Sequence, residues 1–159
     1  MKPEILDELH AYAITARRKL HQIPEVGFDL PRTTELLDAE LKAMGIEAST
    51  RYGECSLSAD LGQGEQIIAL RADMDGLPVE ENSGLPFSST IPGNMHACGH
   101  DTHMAILLAV AKYLKAHEAE LPCRIRLIFQ PNEEGAQSGA RMMVENWFAV
   151  RLESDPEGE

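Results

Sequence analysis

One thiol and three imidazoles fall within nine residues, Met95-His96-Ala97-Cys98-Gly99-His100-Asp101-Thr102-His103. Cys98 and His100 flank a glycine, whose conformational freedom lets both side chains turn toward one point. A thiolate and an imidazole are good ligands for zinc and other late first-row ions. The start of a helix would further stabilise the thiolate. Any one of these histidines alone reads as an ordinary loop residue. The cluster is what points to a metal. His96 and His103 stay unassigned, and His103 lies inside the helix that follows.

A second concentration of chemistry is Gln130-Pro131-Asn132-Glu133-Glu134-Gly135. A bare Glu-Glu pair is commonly a solvated turn. This one follows an apolar strand, and ligands of α/β sheets bind beyond the C-terminal ends of strands. Two adjacent carboxylates there can divide labour, one ligating a metal and the other moving a proton of water. Asp73 and Asp75 sit in the same relation to an earlier strand. They fit equally as ligand-orienting carboxylates and as turn caps. Arg17-Arg18 reads as a solvated helix face, and Cys55 and Cys123 as core or sheet residues.

The elements that must carry these residues follow from apolar spacing. Ile5, Leu9, Tyr12, Ala16 and Leu20 share one face of a helix over residues 3–20. A second helix spans about 33–44, capped by Thr33 or Thr34 and ended near Gly45. Residues 47–52 and 55–61 read as strands. Residues 66–72 read as a strand buried on both faces. Residues 76–94 form a long loop with three prolines and three glycines. Residues 101–116 carry the strongest helical stripe, capped by Asp101 or Thr102, with Met104, Leu107, Leu108, Ala111 and Leu114 inward. Residues 123–130 form another strand, 139–148 a weaker helix, and 151–159 an acidic, disordered tail. This alternation predicts an α/β fold, with helices packed on a mixed, largely parallel sheet.

Composition narrows the field. The 159 residues carry a net charge of −12, which argues against nucleic acid and anionic membrane as partners. No apolar run approaches the roughly 20 residues that span a bilayer. The N-terminal segment lacks a signal peptide's apolar stretch, so the expected location is cytoplasmic. Three cysteines are an odd number and do not suggest a disulfide framework.

Four segments together carry a resemblance: Arg18-Lys19-Leu20-His21-Gln22-Ile23-Pro24-Glu25, Leu70-Arg71-Ala72-Asp73-Met74-Asp75-Gly76-Leu77-Pro78, Met95 through Asp101, and Gln130 through Gly135. In order and spacing they resemble the M20 metallopeptidase family, in particular its amidohydrolase branch of hippurate, N-acyl-amino-acid and auxin-conjugate hydrolases. The resemblance implies the N-terminal part of a metallo-exopeptidase-like catalytic domain over residues 1–150. It implies metal-dependent hydrolysis of the amide bond of small N-acyl amino acids at a site of two divalent ions. Zinc or manganese is expected there, with cobalt or nickel as further options. By motif, Cys98, His100 and Glu134 match metal ligands, and Glu133 matches the general base. Members of the branch continue further, with a histidine ligand after the Glu-Glu pair, another near the C-terminus, and a lid domain used for dimerisation. Here the last histidine is His117. The alternative expectation is therefore a truncated, inactive fragment that binds metal weakly or serves as a binding or oligomerising module.

Overall fold

The computed structural model describes the backbone of residues 2–154 and the side chains up to Trp147. Among the described residues, four α-helices and three strands follow in the order α1 (Pro3–His21), α2 (Pro31–Ala43), β1 (Leu57–Leu61), β2 (Ile67–Asp73), α3 (His100–Ala116), β3 (Arg124–Gln130) and α4 (Gly139–Ser154). The sheet order is β1-β3-β2. β3 pairs parallel to β2, with Leu70 opposite Leu127, and antiparallel to β1, with Ala59 opposite Leu127. The sheet is mixed as expected, with one parallel and one antiparallel pair.

The core lies where α1, α2 and α3 meet one face of the sheet. Leu20, Leu37, Leu41, Leu57, Leu61, Met104, Leu108, Leu127 and Phe129 are fully buried there. In β3, Ile125, Leu127 and Phe129 alternate inward, as period-two patterning dictates. The stripe of α1 sinks progressively. Ala16 and Leu20 are buried, while Ile5, Leu9 and Tyr12 are only partly covered. α4 lies against β3 and buries Met143.

Several sequence expectations change. Residues 47–52 form no strand. They contribute a single antiparallel bridge, Ser49 to Ser58, before a tight turn that passes through left-handed Cys55 (φ 56°). β2 is not buried on both faces. It is an edge strand among the described residues, and Ile67 and Ile68 are 45% and 53% exposed. Its outward face, with Ile67, Ala69 and Arg71, lines an apolar cleft of about 410 Å³ against α4. α4 continues through Ser154 rather than stopping at 148. No residue of the run Ala149-Val150-Arg151-Leu152-Glu153 breaks a helix, and the first breaker in the sequence is Pro156. Residues 155–159 of the expected tail lie outside the described residues.

The caps also differ from expectation. α2 begins at Pro31 with no cap from its own threonines. Glu25 serves instead. Its carboxylate accepts from Arg32 N at 3.2 Å, Thr33 N at 2.8 Å and Thr33 Oγ1 at 2.8 Å. An acid at a helix start satisfies unpaired amides and opposes the helix dipole. α3 begins one residue early, at His100, because Gly99 takes a left-handed turn (φ 95°).

Candidate metal centre

The parallel pair and α3 converge at one end of the sheet. β2 ends at Asp73, β3 ends at Gln130, and α3 starts at His100. His100 is 2% exposed. Its Nδ1 donates to the Asp75 carbonyl oxygen at 2.8 Å, which leaves Nε2 as its one ligand lone pair. Nε2 lies 3.7 Å from each of Asp73 Oδ1, Glu133 Oε2 and Glu134 Oε1. The ligand atoms of Cys98, His100 and Glu134 all fall within 4.8 Å of one another. The structure therefore brings all four expected site residues to one place, with Glu133 beside the three candidate ligands.

Asp75 holds this arrangement. It is 1% exposed, and its two carboxylate oxygens accept from the backbone amides of Glu133 (3.0 Å) and Glu134 (3.1 Å). Oδ1 also lies 3.4 Å from His100 Nδ1. Burial alone would raise its pKa, but these partners lower it below the ordinary carboxylate value. Preceding the glutamates, Asn132 adopts a left-handed conformation (φ 50°) and donates to the Gln137 carbonyl. Gly139 closes the loop by donating to Asn132 O at 3.1 Å, and a Cβ there would overlap the Pro131 carbonyl.

The Pro24-Glu25 segment acts one step further out. Gly76 N donates to Glu25 O at 2.7 Å, and a Cβ on Gly76 would lie 2.9 Å from that of Pro24. The same glutamate that caps α2 thus fixes the residue after Asp75. Arg17 is no solvated residue either. Its Nε pairs with Asp101 Oδ2 at 2.7 Å, and both Arg17 and Arg18 lie over the Phe87 ring. His21 Nδ1 also reaches Asp101 Oδ2 at 2.7 Å, and its Nε2 reaches Glu81 at 3.2 Å. These contacts pin the 76–94 loop and the start of α3 to α1.

The donor set suits a divalent cation. Four carboxylates, Asp73, Asp75, Glu133 and Glu134, surround one imidazole and one thiol. The hydrogen bond to Glu134, then burial, push the Cys98 thiol up to about 11. Burial opposes protonation of His100, but Asp75 and Asp73 raise its pKa on balance. Protons are thus being held where a cation would otherwise compensate the charge. His96 does not join the group. It is buried, neither ring nitrogen has a partner among the described residues, and burial lowers its pKa to about 4. His103 does come to the site, with Nδ1 2.7 Å from Asp73 Oδ1.

Sequence reasoning missed the Asp75 clamp, the Glu25 cap and the Arg17–Asp101–His21 pin. The motifs that contain them were visible, but a residue's bond to a backbone amide far along the chain leaves no spacing signal.

The chain is similar in sequence and structure to known proteins. The chain is 44% identical over 146 residues to the N-acetyl-L-cysteine deacetylase of Bacillus subtilis, covering 91% of this chain and 35% of that protein. It is 40% identical over 155 residues to the hippurate hydrolase of Campylobacter jejuni, covering 96% of this chain and 39% of that protein. It superposes on the Bacillus subtilis YXEP protein, a dinuclear metal binding peptidase from the M20 family, with a TM-score of 0.82 at 38% identity. That match covers 89% of this chain and 40% of the other. The chain thus spans between a third and two fifths of the length of these relatives. The profile of peptidase family M20/M25/M40 matches residues 69–157, and that span holds the whole candidate centre. This chain belongs to peptidase family M20/M25/M40.

Proposed function

We propose that this chain carries the metal-holding part of an amidohydrolase that cleaves the amide bond of N-acyl amino acids. Cys98, His100 and Glu134 are the ligands, and Glu133 is the general base. One observation carries the reading. A single buried carboxylate, Asp75, sets the two adjacent glutamates against the thiol and imidazole of the preceding motif.

A divalent ion bound there supplies a Lewis acid that polarises the amide carbonyl and makes water acidic. Glu133, with a side chain 42% exposed, reaches the solvent from which the attacking water comes. It takes a proton from that water and delivers it to the departing amine nitrogen. Glu134 and His100 are held by Asp75, so the base and the ligands keep a fixed relation. Zinc is favoured by the thiol, with manganese, cobalt and nickel as alternatives. N-acyl amino acids as substrate class follow from the named activities of the deacetylase and hippurate hydrolase relatives.

A second reading rests on the three ligand atoms that lie within 4.8 Å of one another: the chain holds an ion without turnover. Amine release from N-acetyl and N-benzoyl amino acids, measured with zinc or manganese, separates the two. Turnover that Glu133→Gln abolishes, with metal binding retained, supports the amidohydrolase. Metal binding without turnover supports the second reading. Undiminished turnover in Glu133→Gln would remove Glu133 from the role assigned to it.

A further inference from the structure

A buried histidine at the end of α1 lies between two carboxylates, and those carboxylates bracket the segment that bears Cys98 and His100. His21 Nδ1 is 2.7 Å from Asp101 Oδ2, and its Nε2 is 3.2 Å from Glu81 Oε1. We propose that His21 is a positioning residue of the metal centre, which carries a proton on each ring nitrogen and so cross-links the two ends of the Glu81-to-Asp101 segment. The inference rests on the metal ligands assigned above. His21 itself is not one of them.

Hydrogen-bond accounting sets the state of the ring. An ionised carboxylate only accepts, so a ring nitrogen that faces one must donate, and a ring that donates from both nitrogens is an imidazolium. One contact favours a neutral ring: Arg17 Nη2 lies 3.3 Å from Nδ1. A lone pair on Nδ1 would accept that bond, but it would then face the Asp101 oxygen at 2.7 Å, and the shorter contact decides. Arg17 Nε also lies 2.7 Å from Asp101 Oδ2 but makes no hydrogen bond among the described residues, so the aligned donor is His21. Charge agrees with this. The Asp101 and Glu81 side chains are both buried, and Arg17 alone balances only one of them. Burial by itself would raise the Glu81 pKa, but Ser83, the Ser89 amide and His21 bring it down to about 2, which keeps it an acceptor at neutral pH. His96, whose ring stands 6.4 Å from that of His21, is held neutral by burial, with its pKa lowered to about 4.

Each end of the cross-link reaches a proposed ligand. Glu81 organises the loop before Cys98. Its Oε1 also accepts from Ser83 Oγ, and its Oε2 accepts from Ser89 N at 2.6 Å. Phe87 of the same loop packs edge-on against the His21 ring at 5.7 Å. The loop closes at the Leu77–Met95 bridge, three residues before Cys98. Asp101 directly follows His100, and its Oδ1 accepts from Thr102 N at 2.9 Å in the first turn of α3. With both ends fixed, Cys98 and His100 are oriented before an ion arrives, and less freedom is lost on binding.

The test uses the whole chain. Nitrogen-15 NMR of the His21 ring at neutral pH should show both nitrogens protonated, and an unprotonated ring nitrogen would overturn the proposal. His21→Gln and Glu81→Gln should each weaken zinc binding by about 10–100-fold, the range for groups that support a metal's ligands, with circular dichroism unchanged. The double variant should lose no more than His21→Gln alone, because both substitutions break one cross-link. Chymotrypsin should cut after Phe87 faster in both single variants, since the loop opens more often. If His21→Gln does not fold, Glu81→Gln, which alters only the loop end of the cross-link, decides. Wild-type zinc affinity in folded Glu81→Gln, or losses that add in full in the double variant, would overturn the positioning role while the metal ligands stand. A folded wild-type chain that binds no zinc would instead refute those ligands, and the positioning role with them.

Discussion

Replacing Asp75 by asparagine tests the clamp on which the centre depends. The carboxylate accepts two backbone amides, Glu133 N at 3.0 Å and Glu134 N at 3.1 Å, from a fully buried position. Hydrogen bonds to a charged acceptor contribute about 1.5–3 kcal/mol each. Asparagine keeps one acceptor oxygen and turns an NH₂ group toward the other amide. One such bond is lost, so stability at pH 7 should fall by about 1.5–3 kcal/mol. Alanine removes both, and the loss should approach about 3–6 kcal/mol, a large share of a typical domain's total. Urea unfolding with an unchanged slope measures the difference. The pH dependence adds a sign. Asp75 has a lowered pKa in the folded chain, held down against burial by His100 and the two amides. Its contribution is therefore complete above the ordinary carboxylate value, about 3.9. It is lost as pH falls through the depressed folded value. The gap between wild type and Asp75→Asn should shrink on acidification. An Asp75→Asn variant within about 0.5 kcal/mol of wild type at pH 7, or a gap that widens as pH falls, would refute the clamp.

Other perturbations have defined outcomes. Glu25→Ala should cost about 1–2 kcal/mol in the same unfolding assay, because it leaves the α2 amides of Arg32 and Thr33 without their cap. Gly139→Ala should displace the Glu133–Glu134 loop, since its Cβ would overlap the Pro131 carbonyl, and should weaken zinc binding in calorimetry while the α1–α3 core survives. Phe129→Ala should cost about 3–5 kcal/mol, the usual range for a fully buried aromatic. Metal affinity should rise with pH. The Cys98 thiol is held up to about 11 and must release a proton to bind, so the apparent constant should climb about tenfold per unit between pH 7 and 9. The rise should steepen in acid, where His100, whose pKa is also raised, must lose its proton as well. A flat profile would show that no thiol takes part.

What the sequence made legible was what depends on local periodicity and on residues close together in the chain. The stripes of α1 and α3 and the strand at 123–130 are such features, and each appears close to where its pattern placed it. Cys98 and His100 were readable because one short segment carries them. The edge position of β2 was not readable. A continuous apolar run looks the same whether a sheet continues past it or stops, and Ile67 and Ile68 show that here it stops among the described residues. Residues 47–52 have strand-like composition, but only Ser49 makes a β-bridge among the described residues. The Asp75 clamp spans 58 and 59 residues of sequence, and the Glu25 cap joins a loop to a helix through a side chain. Such long-range bonds to backbone amides depend on tertiary approach, which residue spacing does not encode. Arg17 looked like a surface charge because its partner, Asp101, lies 84 residues away at the start of α3.

We propose that Cys98, His100 and Glu134 hold one metal ion, and X-ray absorption at the zinc edge of the chain loaded with a single equivalent reads those ligands. One sulfur at about 2.3 Å is expected together with nitrogen and oxygen neighbours at about 2.0–2.2 Å, with loss of the sulfur shell in Cys98→Ser. A spectrum with only nitrogen and oxygen neighbours in the wild-type chain would contradict it.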